Sequence, residues 1–306
     1  MSAEHRVERV VVFGAAGQDG PYLREAYERR GAEVVGLSRS TSPACDVSDF
    51  AAVEAAVKNA RPDVVFQLAA DSRTAHDALF DNHAAIAGGA ANVLEAVHRH
   101  APEACVVLAS SGLVFENRGA PIDETRPFEA KSPYAAARIY ATYLARYYRD
   151  VLGRRAKVAY FFHHESPRRS ARHTSMRVAL AAARAAAGSK ERLRIGDPSV
   201  EKEWTYAGDV AEALVTLAAS DVVHECVIGS GVGHTIEDWL RVSFAHVGLD
   251  HRDYVDVEAG FVPEYRRMVS NPARLLATGW TPTVGFSELS RMMIEAATER
   301  LGSGDR

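Results

Sequence analysis

Cysteine is scarce in this sequence of 306 residues, which contains only Cys45, Cys105 and Cys226. The three lie far apart, and no C-x-x-C pair is present, so the sequence offers neither a zinc knuckle nor a dithiol redox motif. We therefore predict no metal site. We expect reduced thiols in a cytoplasmic protein, because disulfides persist mainly in oxidising compartments.

Long apolar runs are also missing, and the charges nearly balance. No run approaches the roughly 20 apolar residues of a membrane-spanning helix. The polar stretch MSAEHRVERV at residues 1–10 lacks the apolar core of a signal peptide. The formal net charge is −4, which gives no reason to expect binding to nucleic acid or to an anionic membrane.

Short apolar runs alternate with helical patterns through the first half of the chain. The predicted strands are Arg9–Phe13, Glu33–Leu37, Pro62–Leu68, Ala104–Ala109 and Lys157–Phe162. The predicted helices are Pro21–Gly31, Phe50–Ala60, Ala84–His100 and Pro133–Leu152. Apolar strands alternating with helices predict a parallel sheet covered on both faces, an α/β fold of the doubly wound Rossmann type.

A glycine-rich turn separates the first predicted strand from the first predicted helix. Gly14, Gly17 and Gly20 have G-x-x-G-x-x-G spacing. Glycine permits a tight turn and lets backbone N–H groups approach a pyrophosphate at a helix N-terminus. The strand–turn–helix context therefore predicts a nicotinamide dinucleotide site. The predicted cofactor set at this edge comprises Gly14, Gly17, Gln18, Asp19, Gly20, Val47, Leu68, Ala69 and Ala70.

The residues after the second predicted strand bear on the choice of cofactor. An acid there would hydrogen-bond the ribose of NAD, whereas a cation favours the 2′-phosphate of NADP. The sequence has Arg39 and no acid at this point, so NADP(H) is favoured over NAD(H). Asp46 is a candidate partner for the adenine amino group, and its alternative role is the N-cap of the next helix.

The regular alternation ends after residue 162. His163–Thr174 is rich in Arg, His, Ser and Pro and is predicted to be a loop. Helices are predicted at Met176–Ala187, from about Gly208, and at Phe286–Leu301. We expect residues 1–162 to form the cofactor-binding domain, to which a helix and a strand near 208–230 return. Residues 163–306 would then form mainly a smaller C-terminal substrate-binding lobe.

Several longer motifs resemble those of one enzyme family. They are GAAGQDG (14–20), SPYAAARIYA (132–141), FFHHESPRRS (161–170) and EKEWTYAGDVAEA (201–213). They resemble the extended short-chain dehydrogenase/reductases that modify nucleotide sugars, and among these the GDP-mannose 4,6-dehydratases. LASSGLVF (108–115), RRMVSNPARLLATGW (266–280) and the short spacing between Arg39 and Asp46 look more like the GDP-4-keto-6-deoxymannose reductases. The resemblance spans nearly the whole chain and implies deoxysugar biosynthesis.

The resemblance implies a catalytic set. Tyr134 matches the tyrosine that acts as acid or base at a sugar oxygen while a hydride moves to or from nicotinamide. A tyrosine hydroxyl ordinarily loses its proton only near pH ~10, so it needs a nearby cation. The family places a lysine four residues later, where this chain has Arg138, which keeps the charge but differs in shape. Both side chains are also expected to contact cofactor. Ser111 matches the third member, with Ser110 as the alternative.

One departure from the dehydratase pattern bears on the reaction. The dehydratases carry a glutamate two residues after the catalytic serine or threonine, and this chain has Leu113 there. Leucine moves no proton, which favours a 4-keto-sugar reductase, an oxidoreductase. The alternative is a 4,6-dehydratase, a lyase, in which Glu116, Glu165 or a histidine supplies the base. An epimerase or a catalytically impaired nucleotide-sugar-binding protein are further alternatives.

The resemblance also implies a basic site for a nucleotide diphosphosugar, since arginines bind phosphates well. The candidate substrate residues are His163, Glu165, Arg168, Arg169, Arg177, Lys202, Trp204, Arg266 and Arg267. His163 replaces the family's asparagine, so it contacts phosphate or sugar, transfers a proton, or is a structural replacement. A homodimer or homotetramer is expected, formed through the long helices near 84–97 and 135–152.

Overall fold

The computed structural model describes residues 7–303, and its central feature is a six-stranded parallel sheet. Residues 7–303 contain thirteen strands, and six of them form this sheet. In chain order the strands are β1 (Arg9–Phe13), β2 (Glu33–Leu37), β3 (Val64–Gln67), β4 (Cys105–Ser111), β5 (Ala156–Phe161), β6 (His164–Glu165), β7 (Leu193–Ile195), β8 (Glu201–Lys202), β9 (Thr205–Tyr206), β10 (Glu225–Ile228), β11 (His234–Thr235), β12 (Val255–Val257) and β13 (Arg267–Met268). The sheet order is β2-β1-β3-β4-β5-β10. The chain reverses direction across the sheet after β2, so β1 and β3 flank the switch point, where such sheets bind ligands.

Helices cover both faces of this sheet. They are α1 (Asp19–Glu28), α2 (Phe50–Ala60), α3 (Leu79–Asn82), α4 (Gly89–His100), α5 (Pro133–Asp150), α6 (Thr174–Ala186), α7 (Ala207–Ala219), α8 (Ile236–His246), α9 (Ala273–Leu276) and α10 (Phe286–Ser303). Apolar residues of α2, α4 and α5 pack on one face, and those of α1 and α7 pack on the other. The expected doubly wound α/β fold is therefore confirmed. No helix within residues 7–303 combines the length and apolar character that crossing a membrane requires.

A third apolar cluster lies among α6, α8 and α10. Its centre is Trp239, fully buried and stacked on Trp204 with ring centroids 4.4 Å apart. The short strands β8, β11 and β13 form a separate three-stranded sheet. The β10 strand, in contrast, joins the central sheet beside β5. The division into two domains at residue 162 stays a prediction.

Two local predictions need correction. The segment predicted as a continuous loop after β5 contains β6, which pairs with β9 because Thr205 donates its N–H to the His163 carbonyl. The helix predicted over 84–100 begins earlier, at α3, and widens into a π-helical turn at His83–Gly88 before α4. In that turn the Gln67 side-chain amide donates a hydrogen bond to the Ala85 carbonyl at 3.0 Å. A side chain that inserts into the backbone hydrogen bonds of a helix distorts the regular helix.

Candidate active site

The glycine-rich turn lies at the switch point between β1 and β3. Gly14 has φ +87°, and a Cβ there would lie 2.5 Å from the Ala69 backbone nitrogen. A Cβ on Gly20 would lie 2.1 Å from the Ala15 carbonyl oxygen. Gly17 is less confined, since its nearest neighbour would be the Gly14 oxygen at 3.2 Å. The turn therefore forms a close backbone cradle at the start of α1, which fits a dinucleotide pyrophosphate.

The residues expected to flank the cofactor occupy different depths at this edge. Leu68 donates its N–H to the Phe13 carbonyl at 2.9 Å, which continues the ladder past β3. Ala69 closes against Gly14, and Ala70 is exposed. Val47 is buried, and its carbonyl accepts the Asn92 amide at 2.9 Å. The edge thus presents small and apolar side chains to the turn.

Arg39 and Asp46 lie beyond β2 in different settings. Arg39 is exposed, and its side chain forms no hydrogen bond or ion pair within the described part of the chain. The Asp46 carboxylate accepts both the N–H and the hydroxyl of Ser48, which lowers its pKa. The alternative N-cap role of Asp46 is wrong, because Asp49 caps α2 by accepting the Ala51 N–H at 2.9 Å.

The side chains of Gln18 and Asp19 point at the segment after β5. Gln18 donates to the His164 carbonyl at 3.2 Å and accepts the Ser166 hydroxyl at 3.2 Å. The Asp19 carboxylate lies 3.0 Å from His164 Nε2. Burial opposes both charges, but their attraction outweighs it, so the pKa of Asp19 is lowered and that of His164 is raised. These two side chains couple the turn to the 163–166 segment.

Replacing Asp19 by asparagine is expected to lower the free energy of unfolding by about 2 kcal/mol near pH 5.5, because it leaves a buried imidazolium unpaired. The raised pKa of His164 contributes stability below pH 6.5, and this is lost as pH rises through the folded value. The lowered pKa of Asp19 contributes stability above pH 3.8, and this is lost as pH falls. Urea unfolding should therefore show a lower free energy of unfolding for Asp19→Asn than for the wild type at pH 5.5, and a smaller difference between the two proteins at pH 9.

The matched control is Glu25→Gln, which removes an exposed ion pair with Arg168. Glu25→Gln should lower the free energy of unfolding by less than about 0.5 kcal/mol at both pH values. An Asp19→Asn penalty as large at pH 9 as at pH 5.5 would contradict the ion pair.

The serine pair ends β4 at the same edge of the sheet. Ser111 is half-buried, and its hydroxyl accepts the Leu113 N–H at 3.2 Å, so it keeps a proton to donate. Ser110 is buried, and its hydroxyl has no hydrogen-bond partner among residues 7–303. The Leu113 side chain packs against the main apolar cluster. The geometry favours Ser111 over Ser110 as the group that reaches a ligand.

The tyrosine–arginine pair lies in the first two turns of α5. Ser132 caps this helix by accepting the Ala135 N–H at 3.1 Å, and proline follows at its first position. Tyr134 is buried, and the Arg138 guanidinium lies 5.1 Å from its ring centroid. Arg138 Nη1 donates to the Ala109 carbonyl of β4, while its buried Nε has no partner among residues 7–303. The guanidinium thus places a positive charge beside the tyrosine ring, where the family pattern has the ammonium of a lysine.

Glu165 belongs to a buried ionic cluster. Its carboxylate accepts the Ser175 hydroxyl at 2.5 Å and lies 3.0 Å from Arg169 Nε. Burial opposes ionisation of Glu165, but Arg169 and Lys202 outweigh it and lower its pKa. A carboxylate so committed is poorly placed to replace the base missing at Leu113. Glu116, the other candidate carboxylate, pairs with Arg118 at 2.6 Å.

A cavity of about 430 Å³ opens beside this cluster. Its charged and aromatic lining consists of Arg177, Arg194, Asp197, Lys202, Glu258, Phe261, Glu264 and Tyr265. Lys202 is buried, with Nζ 4.5 Å from the Trp204 ring centroid, and burial lowers its pKa. Arg177 is exposed and donates to the Arg194 carbonyl at 2.7 Å. The cavity is large enough for part of a nucleotide and offers cations to its phosphates.

Four other predicted substrate residues have protein partners or core positions. Arg168 pairs with Glu25, Arg169 with Glu165, and Arg267 with Glu201 at 2.9 Å. Trp204 lies in the third apolar cluster, where its indole N–H donates to the His234 carbonyl. None of these four residues is part of the lining of the 430 Å³ cavity. Arg266 is exposed near Asp197, and it lowers the pKa of that carboxyl after the larger effect of Ser199.

Tyr265 is a site residue that sequence reasoning missed. Its hydroxyl lies 2.7 Å from His163 Nε2, and its side chain lines the cavity. Phe261 and Glu264 enter the same wall. The signal available in the sequence was the run of Phe, Pro, Glu and Tyr immediately before the motif at 266–280.

The glycine-rich turn and the doubly wound parallel sheet define a Rossmann-type fold of the short-chain dehydrogenase/reductase class. The sequence model of the GDP-mannose 4,6-dehydratase family matches residues 11–293. GDP-mannose 4,6-dehydratase 2 of Arabidopsis thaliana is 30% identical over 94% of this chain and 86% of its own length. The human GDP-mannose 4,6-dehydratase is 25% identical over 94% and 91%. The chain therefore belongs to the GDP-mannose 4,6-dehydratase family, a group of nicotinamide-dependent nucleotide-sugar enzymes.

Solved structures agree with this fold. UDP-glucose 4-epimerase of Thermus thermophilus, in complex with NAD, has a TM-score of 0.82 and 27% identity, covering 94% of this chain and 98% of its own. RMD of Pseudomonas aeruginosa, complexed with NADPH, has a TM-score of 0.84 over 97% of this chain and 100% of its own. At 22% identity, the second likeness shows the fold alone.

Proposed function

We propose that this enzyme reduces the C4 ketone of a nucleotide-diphosphate 4-keto sugar. The observation that carries the proposal is a contrast at the end of β4. The Ser111 hydroxyl is available there, and the Tyr134 hydroxyl has no hydrogen-bond partner within residues 7–303. The position of the dehydratase base, in contrast, is Leu113, whose side chain packs against the apolar cluster. Ketone reduction needs one proton donor and one hydride, and it needs no base at C5.

The residues of this chain divide the work of reduction between them. When bound, NADPH supplies the hydride that C4 receives. Tyr134 gives its hydroxyl proton to the C4 oxygen, and the Ser111 hydroxyl donates a hydrogen bond to the same oxygen. Arg138, held beside the Tyr134 ring, stabilises the tyrosinate that remains until solvent returns the proton. The ketone thus gains one hydride and one proton and becomes an alcohol.

The backbone cradle of Gly14 and Gly20 supports binding of a nicotinamide dinucleotide, and Arg39 supports NADP(H) over NAD(H). The exposed Arg39 guanidinium has no protein carboxylate bound to it within residues 7–303, so it is available to a 2′-phosphate. The Asp46 carboxylate, fixed by Ser48, is available to the adenine amino group.

Arg39→Ala is expected to weaken NADPH binding by about 10- to 150-fold, because a charge-assisted hydrogen bond contributes about 1.5–3 kcal/mol. NADH lacks the 2′-phosphate and serves as the matched ligand control, with a change below about threefold. Fluorescence titration of both cofactors measures the two constants. Equal losses for NADPH and NADH would show that Arg39 does not select the cofactor.

The cavity supports a nucleotide diphosphosugar as substrate. Lys202, Arg177 and Arg194 offer positive charge for phosphates, alongside the carboxylates of Asp197, Glu258 and Glu264 in the same lining. Exposed Arg266 adds a fourth cation near Asp197. Tyr265 connects this cavity to His163 and so to the end of β5. Guanosine diphosphate is the proposed nucleotide, because the family and its relatives are named for GDP-mannose.

The second candidate is a GDP-mannose-type 4,6-dehydratase, favoured by the family match and by the names of the relatives. The two functions separate in one experiment on the purified enzyme. A reductase oxidises added NADPH when GDP-4-keto-6-deoxymannose is supplied, and absorbance at the nicotinamide band falls. A dehydratase converts GDP-mannose to a 4-keto product without added NADPH. Turnover of GDP-mannose alone would overturn the reductase proposal.

The outer face of α5 supports self-association. Tyr140, Tyr143 and Tyr147 are about half exposed along this helix. A shallow groove between α4 and α5 adds Phe50 and Leu144 to the same surface. Aromatic rings of this kind are enriched in interfaces, so we propose a homodimer or homotetramer built on this face. The three cysteines are buried and unpaired, which supports the proposed cytoplasmic location.

A further inference from the structure

We propose that His163 and Tyr265 form a second proton-transfer pair, which exchanges the proton on the carbon next to the C4 ketone of the substrate. The inference rests on the proposed function, since it requires a 4-keto sugar in the same site. The His163 Nε2 atom and the Tyr265 hydroxyl are 2.7 Å apart, a hydrogen bond that joins two distant parts of the chain. His163 follows β5, and Tyr265 precedes β13.

The pair has one member next to the β4–β5 edge and the other in the wall of the cavity. Phe161, the last residue of β5, pairs with Ser111 at the end of β4. The Phe162 ring packs closely on Gly112, because a Cβ atom on Gly112 would lie 2.8 Å from the ring. His163 comes next, and its partner Tyr265 lines the cavity together with Lys202. A substrate that spans from the cavity to Ser111 therefore passes this imidazole.

The second ring nitrogen of His163 lacks a protein partner. Nδ1 is buried and forms no hydrogen bond within residues 7–303. A buried polar atom without a partner costs about 1–3 kcal/mol and is uncommon in folded proteins. In the proposal, a ligand atom supplies the missing partner of Nδ1. When Nε2–H donates to the Tyr265 oxygen, Nδ1 carries the free lone pair of a base.

The charge state of the imidazole suits this role. Burial, and after it the positive charges of Lys202 and Arg169, keep the pKa of His163 well below its ordinary value. His164 and His173 also face the ring and act in the same direction. Burial raises the pKa of Tyr265, so its hydroxyl keeps its proton. The ring is thus neutral near pH 7 with a lone pair to accept a proton, and the same burial and positive charges favour rapid return of that proton from the imidazolium.

The other groups that could act as this base are occupied. Glu165 is bound by Arg169 and Ser175, Glu116 is bound by Arg118, and Leu113 has no proton to move. His164 is held between Asp19 and the Phe162 carbonyl. Among the candidates that the sequence suggested, His163 alone combines a free buried nitrogen with a place beside the β4–β5 edge.

The step itself is balanced and needs no co-reactant. His163 Nδ1 takes the proton, and the C–H electron pair forms a C=C bond to C4. The C4=O π pair moves to oxygen, where Ser111 and Tyr134 donate hydrogen bonds. Return of a proton from the imidazolium to the same face restores the ketone, and exchange of the Nδ1 proton with D₂O before its return leaves deuterium on the carbon. In a dehydratase the same base would serve C5 of the 4-keto intermediate, which occupies the same site.

The test follows hydrogen exchange in D₂O with the enzyme, NADP⁺ and GDP-4-keto-6-deoxymannose. Proton NMR records the signals of C3–H and C5–H, and NADPH oxidation is measured separately on the same preparation. The wild-type enzyme should exchange one of these protons well above the enzyme-free rate. His163→Asn, which installs the residue of the family pattern, should lower the ratio of exchange to NADPH oxidation at least ~100-fold.

Two further variants keep the test decisive. Tyr265→Phe removes only the hydroxyl that orients the ring and should lower the same ratio about tenfold. His163→Gln covers the case in which His163→Asn does not fold, as judged by NADPH binding. Wild-type exchange at the background rate, or undiminished exchange in a folded His163 variant, would overturn the inference. Exchange without NADPH oxidation would instead leave the inference intact and reject the reductase.

Discussion

Tyr134→Phe is expected to lower kcat for NADPH-dependent ketone reduction by about 10³-fold, the contribution of a well-placed general acid. The variant removes one oxygen from a buried side chain at the start of α5. No described residue hydrogen-bonds to that oxygen in the structure, so its loss breaks no protein contact. Cofactor affinity and the free energy of unfolding should therefore change little while the rate collapses.

Tyr140→Phe is the matched control for this variant. Tyr140 lies six residues later on α5 and is 52% exposed, so the same chemical change occurs on the same helix away from the site. Its rate should stay within about twofold of the wild type. A Tyr134→Phe enzyme that kept more than a tenth of the wild-type kcat would exclude Tyr134 as the proton donor.

Arg138→Met is expected to lower the same kcat by about 10²-fold, because a tyrosinate loses its neighbouring cation. The effect on stability should be small, within about 1 kcal/mol. Arg138 is a buried cation whose one hydrogen bond goes to the Ala109 carbonyl and whose Nε is unpartnered within the described residues. Exchanging such an ion for an apolar side chain of similar length is often neutral. Steady-state kinetics and urea unfolding measure the two quantities.

Arg138→Lys and Arg146→Met separate charge from packing. Lysine keeps the positive charge and matches the family pattern, so its rate should stay within about tenfold of the wild type. Arg146 lies farther along α5 and pairs with Glu225 at 2.7 Å. Its loss should cost about 1–3 kcal/mol of stability with little change in kcat. If Arg138→Met kept full activity, the cation beside Tyr134 would have no part in catalysis.

The sheet and its helices were predictable because their signals are local. The apolar runs RVVVF and EVVGL became β1 and β2 with the expected ends, and α2 runs from Phe50 to Ala60 as predicted. Buried parallel strands need no alternation of polar residues, so each run is legible by itself. The π-helical turn was not predictable, since it depends on Gln67 of a neighbouring strand.

The substrate site was harder to predict because its pairings join distant residues. Arg267 is bound by Glu201, 66 residues earlier, and Arg168 by Glu25. A cation count in the sequence does not reveal which arginines the protein itself neutralises. The role of Tyr265 was not predictable for the same reason, because its partner His163 lies 102 residues before it in the sequence. The resemblance located the segment that bears His163, and only the fold supplied its neighbour.

The bridge from Gln18 and Asp19 to His164 and Ser166 has a thermodynamic consequence for ligand binding. One strand-to-helix turn forms the proposed pyrophosphate cradle, and its side chains bind the segment that follows β5, next to the proposed sugar-nucleotide cavity. A ligand that orders either side lowers the entropy that remains to be lost on the other. The two affinities are therefore linked, and the coupling free energy is the same whichever ligand binds first.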